Sequence, residues 1–533
     1  MSNRASGTAL APAENQTAAG FNLGSLAIPA LILAVTFLGY GWVLDLDHLG
    51  WDAWPLIASS SCTSPTDFLG LFTSEFMGGL FPDGSFYRPL TSLSFALDGL
   101  LWDTRAAGFH HTDLLLLALN ALVVFRLGRR FATEPSRPLA TAAALCAAIL
   151  FLLHPLQVEL LPAAPRRADA LCLLFSLLAL QRATRPVGVG PVGASPVGGW
   201  PLALLVTFAV LSKETGLLAL PLAALGVHLH STPVTHSKHS KHGGERLRQT
   251  FRTLTPTLTL VLVALAARTA ILSGLGGYGD SAPGRGSASG LSALAELPTR
   301  LGQYAALVLY PQPLFANPTP ALCISLLALG LALATLLCLR PREPGKRTAI
   351  PLLLIWLAGA ALLNSTAGRV SWWYGLQFLP PLVLLLAQFI ERAGSTWRNG
   401  GRLFPITLSL VTVLCALPQV SRSGALVEYT EWQRGSDATR EWLGRAQAAL
   451  APARQGTRLT LVDMPAGVIP AQTGPAVHSA ALLAPYSLVA WLEVHFPGRT
   501  FRLAERQGAM LDAGPQGTGR LPIHIEFSRR LVP

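Results

Sequence analysis

Long apolar runs alternate with short polar segments along most of the chain. A helix that crosses a bilayer needs roughly 20 mainly apolar residues. The runs therefore predict about eleven membrane-spanning helices, with boundaries at 24–44, 112–126, 138–154, 168–182, 200–212, 215–230, 251–272, 320–339, 348–364, 373–390 and 403–420. The fold class expected from this pattern is mainly α, a polytopic membrane protein.

The charges of the segments between these runs predict their sidedness. Lys and Arg cluster in alternate segments, at 126–137, 182–185, 238–252, 340–347 and 392–402. Short basic loops stay on the cytoplasmic side. The intervening segments, including an acidic loop at 45–111, are then extracytoplasmic. Eleven spans place the N-terminus inside and the chain from Ser421 outside, as expected for a multi-pass protein of a bacterial inner membrane.

Composition supports a membrane protein over a nucleic-acid binder. The chain is 51% hydrophobic and 13% charged, whereas soluble domains carry about 25% charged residues. The net charge of +12 follows from the basic cytoplasmic loops, and no nucleic-acid partner is expected. Cys62 lies in the acidic loop and the other five cysteines in apolar segments, so neither a disulfide framework nor a zinc ribbon is indicated.

Three regions follow from these patterns. Residues 1–22 are small and polar and predict a disordered tail, and the next run predicts an uncleaved first span, although a cleaved signal peptide is an alternative. Residues 23–420 form the membrane domain. Residues 421–533 have the composition of a small extracytoplasmic α/β domain, with helices in EWQRGSDATREWLGRAQAAL and ALLAPYSLVAWLEVHF and strands in TRLTLVDMP and LPIHIEF.

The acidic loop at 45–111 is the first candidate for chemistry. It holds eight carboxylates against Arg88 and Arg105. Asp52, in GWDAWPLI, lies close to the end of the first span among apolar neighbours, which favour a raised pKa and a role as general base. The alternative is an aspartate that caps a helix or is solvated in the loop. Asp45 and Asp47 are the next candidates.

Ionisable residues also gather at the outer ends of the predicted spans, whereas the inner ends hold little beyond Arg and Lys. Charged groups at membrane depth are costly and are functional candidates by default. The set comprises Asp52, Arg88, His110, His111, Asp113, His154, Glu159, Arg167, Asp169, Lys213, Glu214 and Arg369. Such a group suits an anion bound by Arg and Lys beside a carboxylate base.

Several of these residues have a structural interpretation that remains open. Lys213 either faces a lipid phosphate as a compact point charge or pairs with Glu214 to mark a helical turn. His154 either ends a helix or belongs to the site, and Arg167 is also compatible with snorkelling to the interface. His110 and His111 lack a carboxylate at ligand spacing, so no metal site is assigned.

Four motifs resemble one family. FYRPLTSLSFALD, GFHHTDLLLLALNAL, HPLQVELLPAAPRRADAL and SKETGLLALP are similar to the membrane part of transmembrane-and-tetratricopeptide protein O-mannosyltransferases. These enzymes belong to the GT-C superfamily of polytopic, lipid-phosphosugar-dependent glycosyltransferases. The resemblance covers roughly residues 40–315, with a weaker echo in GRVSWWYGLQFLP. The 34-residue period of tetratricopeptide repeats is not seen in the tail.

The resemblance assigns roles residue by residue. Asp52 stands at the position of the catalytic base, and a second acidic position falls on Ala53. The residues that match the family's substrate and lipid-phosphate motifs are Arg88, His110, His154, Glu159, Arg167, Asp169, Lys213 and Glu214. Asp113 and Leu117 depart from the family pattern. No cofactor is assigned, and a divalent-metal requirement is left open.

The implied activity is inverting transfer of a sugar from an isoprenyl-phosphate donor to a hydroxyl of a protein or glycan acceptor, outside the membrane. Lys213, Arg88 and Arg167, in that order, are expected to stabilise the phosphate leaving group. The alternative function is a lipid or glycolipid transporter or flippase without catalysis. Transporters place their sites near the bilayer midplane between repeats, whereas the polar residues here lie at the outer rim.

Overall fold

The computed structural model describes only part of the chain. The described residues are 26–81, 84–132, 138–185, 199–230, 242–274, 276–278, 299–300, 302–304, 308, 349–365, 371–398, 430–452, 464–469, 480–497, 502–503, 509–512 and 525–526. The predicted runs at 320–339 and 403–420, the polar residue Arg369 and the predicted tail at 1–22 lie outside this set.

Each apolar run that falls on described residues coincides with a helix. These helices are α1 (Ala27–Tyr40), α5 (Ala106–Phe131), α6 (Pro138–Leu153), α8 (Arg167–Ala183), α9 (Gly199–Ser212), α10 (Ala219–His230), α11 (His242–Leu272), α12 (Ile350–Ser365) and α13 (Leu379–Arg398). The mainly helical fold is therefore confirmed. Helix α5 begins six residues earlier than its apolar run, because its first two turns carry polar side chains that bond within the protein.

Within the described part of the chain, three segments are long and apolar enough to cross a bilayer, namely Ala27–Asp45, Leu247–Leu272 and Trp373–Arg392. Shorter apolar helices accompany them at Pro138–Leu153, Gly199–Ser212, Glu214–Leu229 and Ile350–Asn364. The chain thus has the helices of an integral membrane protein. The count of eleven spans stays a prediction.

The predicted acidic loop is folded into short helices. A 3-10 helix (Gly41–Asp45) leads into α2 (Ala53–Ser59), α3 (Pro65–Gly70) and α4 (Pro89–Trp102). Helix α3 begins with a capping box, in which Ser64 and Asp67 satisfy each other's backbone N–H groups. These backbone hydrogen bonds hold the pKa of the exposed Asp67 carboxyl below its usual range. A proline at the start of α4 suits the first helical turn.

The core of the membrane-type region lies between α5, α6, α8 and α13. Helix α6 contributes a stripe of small residues, and Ala143, Ala144, Ala147 and Ala148 are all buried. A Cβ at Gly128 of α5 would lie 2.9 Å from the Cβ of Ala144, so the two helices approach closely at this glycine. Small residues allow such approach, which supports helix packing where lipid removes the hydrophobic driving force.

Among its described residues, the C-terminal region contains two helices and short strands. Helix α14 spans Thr430–Leu450 and begins one residue before the predicted helix, whereas α15 spans Pro485–His495 and lies within the predicted one. Strand β3 (Pro465–Ile469) pairs antiparallel with β4 (Ala480–Ala481) and parallel with β6 (Ala509–Asp512). Strand β5 (Arg502–Leu503) pairs with β7 (Ile525–Glu526). Strand β3 starts at the last residue of TRLTLVDMP, and most of that segment lies outside the described residues. A separate α/β domain at 421–533 stays a prediction.

This region packs directly on the first loop. A buried apolar cluster joins Trp54, Leu56 and Ile57 of α2 to Leu488, Trp491 and Leu492 of α15. A further short pair, β1 (Gly84–Ser85) with β2 (Gly277–Tyr278), links the loop to the chain after α11. The first loop is therefore fixed from both the membrane side and the C-terminal side.

Replacing Trp491 with alanine is expected to loosen this docking. Trp491 is 2% exposed, and truncating a buried Trp costs about 3–5 kcal/mol. The thermal midpoint of the purified protein should fall, and limited proteolysis should cut sooner between α14 and α15. Trp200→Ala is the control, since Trp200 is 62% exposed. Equal effects of the two substitutions would contradict the packing described.

Candidate active site

Asp52 lies at the start of α2, in a turn that requires glycine. Gly50 has φ +96°, and a Cβ there would lie 3.3 Å from the Cβ of Ala163. Asp52 occupies the N-cap position, yet its side chain makes no capping hydrogen bond. The half-buried carboxylate instead accepts a hydrogen bond of 2.7 Å from the hydroxyl of Tyr486 in α15. The capping interpretation of Asp52 is therefore wrong for this structure.

The neighbours of Asp52 are more polar than its sequence context suggested. Trp51 is 42% exposed, so it does not enclose the carboxylate. Tyr486 donates to it, and Arg166 lies within electrostatic range. A donor and a cation favour the charged form of a carboxylate. The apolar surroundings expected for Asp52 are thus replaced by a polar environment that includes Tyr486 and Arg166.

Arg166 connects Asp52 to a second carboxylate. Its guanidinium forms an ion pair of 3.0 Å with Glu159 and lies 4.2 Å from the ring centre of Trp373. Burial raises the pKa of the Glu159 carboxyl and lowers that of Arg166, while Glu159, Asp169 and Asp52 act in the opposite direction on Arg166. The segment at 154–166 thus places the guanidinium of Arg166, paired with Glu159, beside Asp52.

Lys213 and Glu214 do not pair with each other. The Nζ of Lys213 lies 2.6 Å from both carboxylate oxygens of Asp169 and 4.9 Å from the ring centre of Tyr374. Both charged side chains are almost fully buried. The alternative in which Lys213 pairs with Glu214 is therefore wrong, and Lys213 pairs with Asp169. Its role at a lipid phosphate stays a prediction.

Glu214 lies between two arginines. Arg88 donates from Nε and Nη2, at 3.2 and 2.8 Å, and Nη1 of Arg268 donates at 3.0 Å. The guanidinium of Arg88 also packs over the rings of Phe76 and Phe86. Two guanidinium groups thus converge on one carboxylate. A planar guanidinium suits phosphate oxygens.

Arg167 is enclosed by protein. Its side chain is 0% exposed and pairs with Asp98 at 2.5 Å and Asp113 at 2.6 Å. It also donates to the carbonyl of Phe109 and packs over the Phe95 ring. These contacts join α4, α5 and α8, so the structure places Arg167 as a core ion pair. Its assignment to the lipid phosphate stays a prediction.

The two histidines of the predicted site hold backbone segments. Nδ1 of His154 accepts the N–H of Leu156, so its proton lies on Nε2, which donates to the carbonyl of Val308 at 2.9 Å. His110 is fully buried, with Nδ1 3.2 Å from the carbonyl of Leu161. Among the described residues, no group of three or more His, Cys, Asp or Glu side chains is placed to hold a metal.

Sequence reasoning missed three residues of this arrangement. Arg166 was interpreted only as an interfacial residue, although its neighbour Arg167 was singled out. Arg268 lies inside an apolar run of α11, where a lone arginine is the signal of a buried or functional charge. Tyr486 carries no pattern that distinguishes it, because its role depends on docking between segments 434 residues apart.

The predicted residues thus form a set of charge pairs at neighbouring helix ends. The pairs are Asp52 near Arg166, Arg166 with Glu159, Lys213 with Asp169, Glu214 with Arg88 and Arg268, and Arg167 with Asp98 and Asp113. A half-buried carboxylate can accept a proton from a hydroxyl, and the Arg88–Arg268 cluster can bind an anion. These are the groups that transfer from a phosphate-linked donor needs.

Comparisons with known proteins agree with the motif resemblance. No protein-family model matches the chain. It is 27% identical over 196 residues to a protein O-mannosyl-transferase of Caenorhabditis elegans, covering 36% of this chain and 27% of the relative. It is 31% identical over 208 residues to human protein O-mannosyl-transferase TMTC1, covering 37% and 23%. The chain spans about a quarter of the length of these relatives.

Two solved structures are similar over most of the chain. ArnT from Cupriavidus metallidurans, bound to undecaprenyl phosphate, has 14% identity and a TM-score of 0.42, covering 81% of this chain and 73% of that one. The Archaeoglobus fulgidus oligosaccharyltransferase, complexed with zinc and sulfate, has 11% identity and a TM-score of 0.43, covering 88% and 61%.

The helices define the class as an integral membrane protein. The sequence matches confirm its resemblance to the transmembrane-and-tetratricopeptide O-mannosyltransferases of the GT-C type.

Arg167→Met is expected to destabilise the protein by about 3–5 kcal/mol, because it leaves Asp98 and Asp113 buried without their cation. The measurement is the unfolding midpoint of the purified protein. Adding Asp98→Asn and Asp113→Asn to Arg167→Met should recover part of the loss. A single Arg167→Met protein as stable as wild type would contradict a structural role for this ion pair.

Proposed function

We propose that the chain is a membrane glycosyltransferase that moves a sugar from an isoprenyl-phosphate donor to an acceptor hydroxyl on the extracytoplasmic face, with inversion at the anomeric carbon. The observation that supports this proposal most is the environment of the Asp52 carboxylate. Its carboxylate is half-buried, uninvolved in helix capping, and faced by Tyr486 and Arg166. The similarity to proteins named as O-mannosyl-transferases supplies the reaction class.

In the proposed reaction the acceptor oxygen attacks C1 of the donor sugar. The bond between C1 and the phosphate oxygen breaks, the hydroxyl proton passes to Asp52, and the isoprenyl phosphate leaves as an anion. One displacement inverts the configuration at C1. A positioned general base contributes about 10²–10⁴-fold to such a step.

The ion pairs change the choice of cations that we expect to stabilise the phosphate leaving group. Lys213 is balanced by Asp169 and Arg167 by two carboxylates, whereas Arg88 and Arg268 share one Glu214. We assign the leaving-group role to Arg88 and Arg268, because their two planar guanidinium groups converge at one place and suit phosphate oxygens. Glu214 holds the two guanidinium groups in place until the donor binds.

The proposed topology follows the loop charges. The basic segments are cytoplasmic, so the first loop and the residues from 421 onward are extracytoplasmic. A lipid carrier would then lie in the outer leaflet beside the ends of the helices. The acceptor is a protein or a glycan. The tetratricopeptide repeats of the family that the chain resembles are not seen in this tail.

Asp52→Asn is expected to lower sugar transfer at least 100-fold, because an amide cannot take the acceptor proton. The measurement is transfer of labelled sugar from isoprenyl-phosphate sugars to acceptors in purified membranes. Asp67→Asn is the matched control, since Asp67 is a capping residue of the same loop. Near wild-type transfer by Asp52→Asn would exclude Asp52 as the base. An inactive wild type that moves the lipid across vesicles would favour the transporter alternative.

Arg268→Gln is expected to raise the KM for the lipid donor about tenfold or more, because charge-assisted hydrogen bonds to phosphate are lost. The kcat should also fall, since the leaving phosphate loses a cation. Arg252→Gln, on the exposed opposite end of the same helix, should leave both parameters unchanged. An unchanged KM for Arg268→Gln would remove this cluster from the phosphate site.

A further inference from the structure

The C-terminal region contacts the first loop through polar groups as well as apolar ones. The Oγ of Ser487 donates to the carbonyl of Trp51, the residue before Asp52. The N–H of Asp47 donates to the Oγ of Ser436 at 2.8 Å, and Arg440 donates to the carbonyl of Asp45 at 2.9 Å. These bonds fix the backbone on the N-terminal side of Asp52.

Apolar packing makes this docking rigid. The Trp54 ring lies 5.3 Å, centre to centre, from that of His495, which stacks on Trp491 at 4.7 Å. Ser487 is 0% exposed, and its Oγ also accepts the N–H of Ala484 at the start of α15. Buried and satisfied polar groups specify one arrangement, so the first turn of α15 is held in a defined position on α2.

Tyr486 occupies that first turn. Its hydroxyl donates to Oδ1 of Asp52 at 2.7 Å, and its ring meets Phe81 edge-on with centres 6.2 Å apart. The ring contact limits rotation of the side chain, and the hydroxyl then limits rotation of the carboxylate. The two residues are 434 positions apart in the chain, so this contact exists only when the C-terminal region is docked.

We propose that Tyr486 is a positioning residue for the Asp52 base, so that the C-terminal region completes the active site of the membrane domain. This inference rests on the proposed function. Tyr486 acts through Asp52, by orienting its carboxylate and by stabilising the charged form. A hydrogen bond to an ionised group is stronger than a neutral one. The membrane domain without its docked C-terminal region would hold a misoriented base.

Tyr486→Phe tests this role, because it removes the hydroxyl and keeps the ring. The kcat for transfer is expected to fall about three- to tenfold with the KM values unchanged. The acidic limb of the pH–rate profile should move to higher pH by about 0.5–1 unit, because the base loses a donor that favours its charged form. Arg166, a charged group within electrostatic range of Asp52, is unchanged in this variant.

Ser436→Ala is the matched control. It removes a docking hydrogen bond to the backbone of Asp47 and leaves the contact between Tyr486 and Asp52 in place. It should lower the thermal midpoint without moving the acidic limb. An unmoved limb in Tyr486→Phe, or equal loss of kcat at every pH in both variants, would show that Tyr486 serves docking only and would overturn the inference.

A second measurement does not depend on catalysis. A hydrogen bond to a carboxylate contributes stability that is present while the carboxylate is charged and is lost as it protonates. The difference in thermal midpoint between wild type and Tyr486→Phe should therefore shrink as the pH falls from 7 to 3, whereas that for Ser436→Ala should stay constant. A constant difference in thermal midpoint for Tyr486→Phe would overturn the inference, whether or not wild type transfers sugar. A wild type that transfers no sugar would contradict the proposed function only.

Discussion

The pairing of buried charges determines how the charge-bearing ends of the helices meet. Arg167 is fully enclosed and bonds two carboxylates from two other helices, and Lys213 is held by Asp169 in the same way. An unpaired charge in such a setting is costly. The helices therefore pack in the arrangement that pairs these groups, and the apolar stripes between them follow. The helix ends held in this way form the surface on which the first loop packs.

The same pairing separates residues that hold the fold from residues available for chemistry. Arg167, His110 and His154 each bond to protein groups of the core. Asp52 lies outside that network, at the junction of the first loop, the turn at 154–166 and α15. Arg88 and Arg268 both pair with Glu214. The proposed site thus lies next to the core of paired charges, and the C-terminal region covers one side of it.

Apolar runs predicted most helices, because the length of a span and its hydrophobicity are local properties. The alternative that paired Lys213 with Glu214 failed because adjacent residues at a turn point in different directions, and each of them bonds to a residue from another part of the fold. Arg167 lies in the core, whereas its neighbour Arg166 pairs with Glu159, since one residue of register decides which side chain enters the core. The contact of Tyr486 with Asp52 depends on long-range docking, which no local pattern encodes.

We propose that Asp52 is the base for sugar transfer outside the membrane. The test is to delete the gene in its native cells and to measure the masses of envelope glycans and glycoproteins, with complementation by wild type or by Asp52→Asn. We expect loss of one hexose-type increment on deletion, recovery with wild type, and no recovery with Asp52→Asn at equal protein level. Full recovery with Asp52→Asn would overturn this assignment of the base.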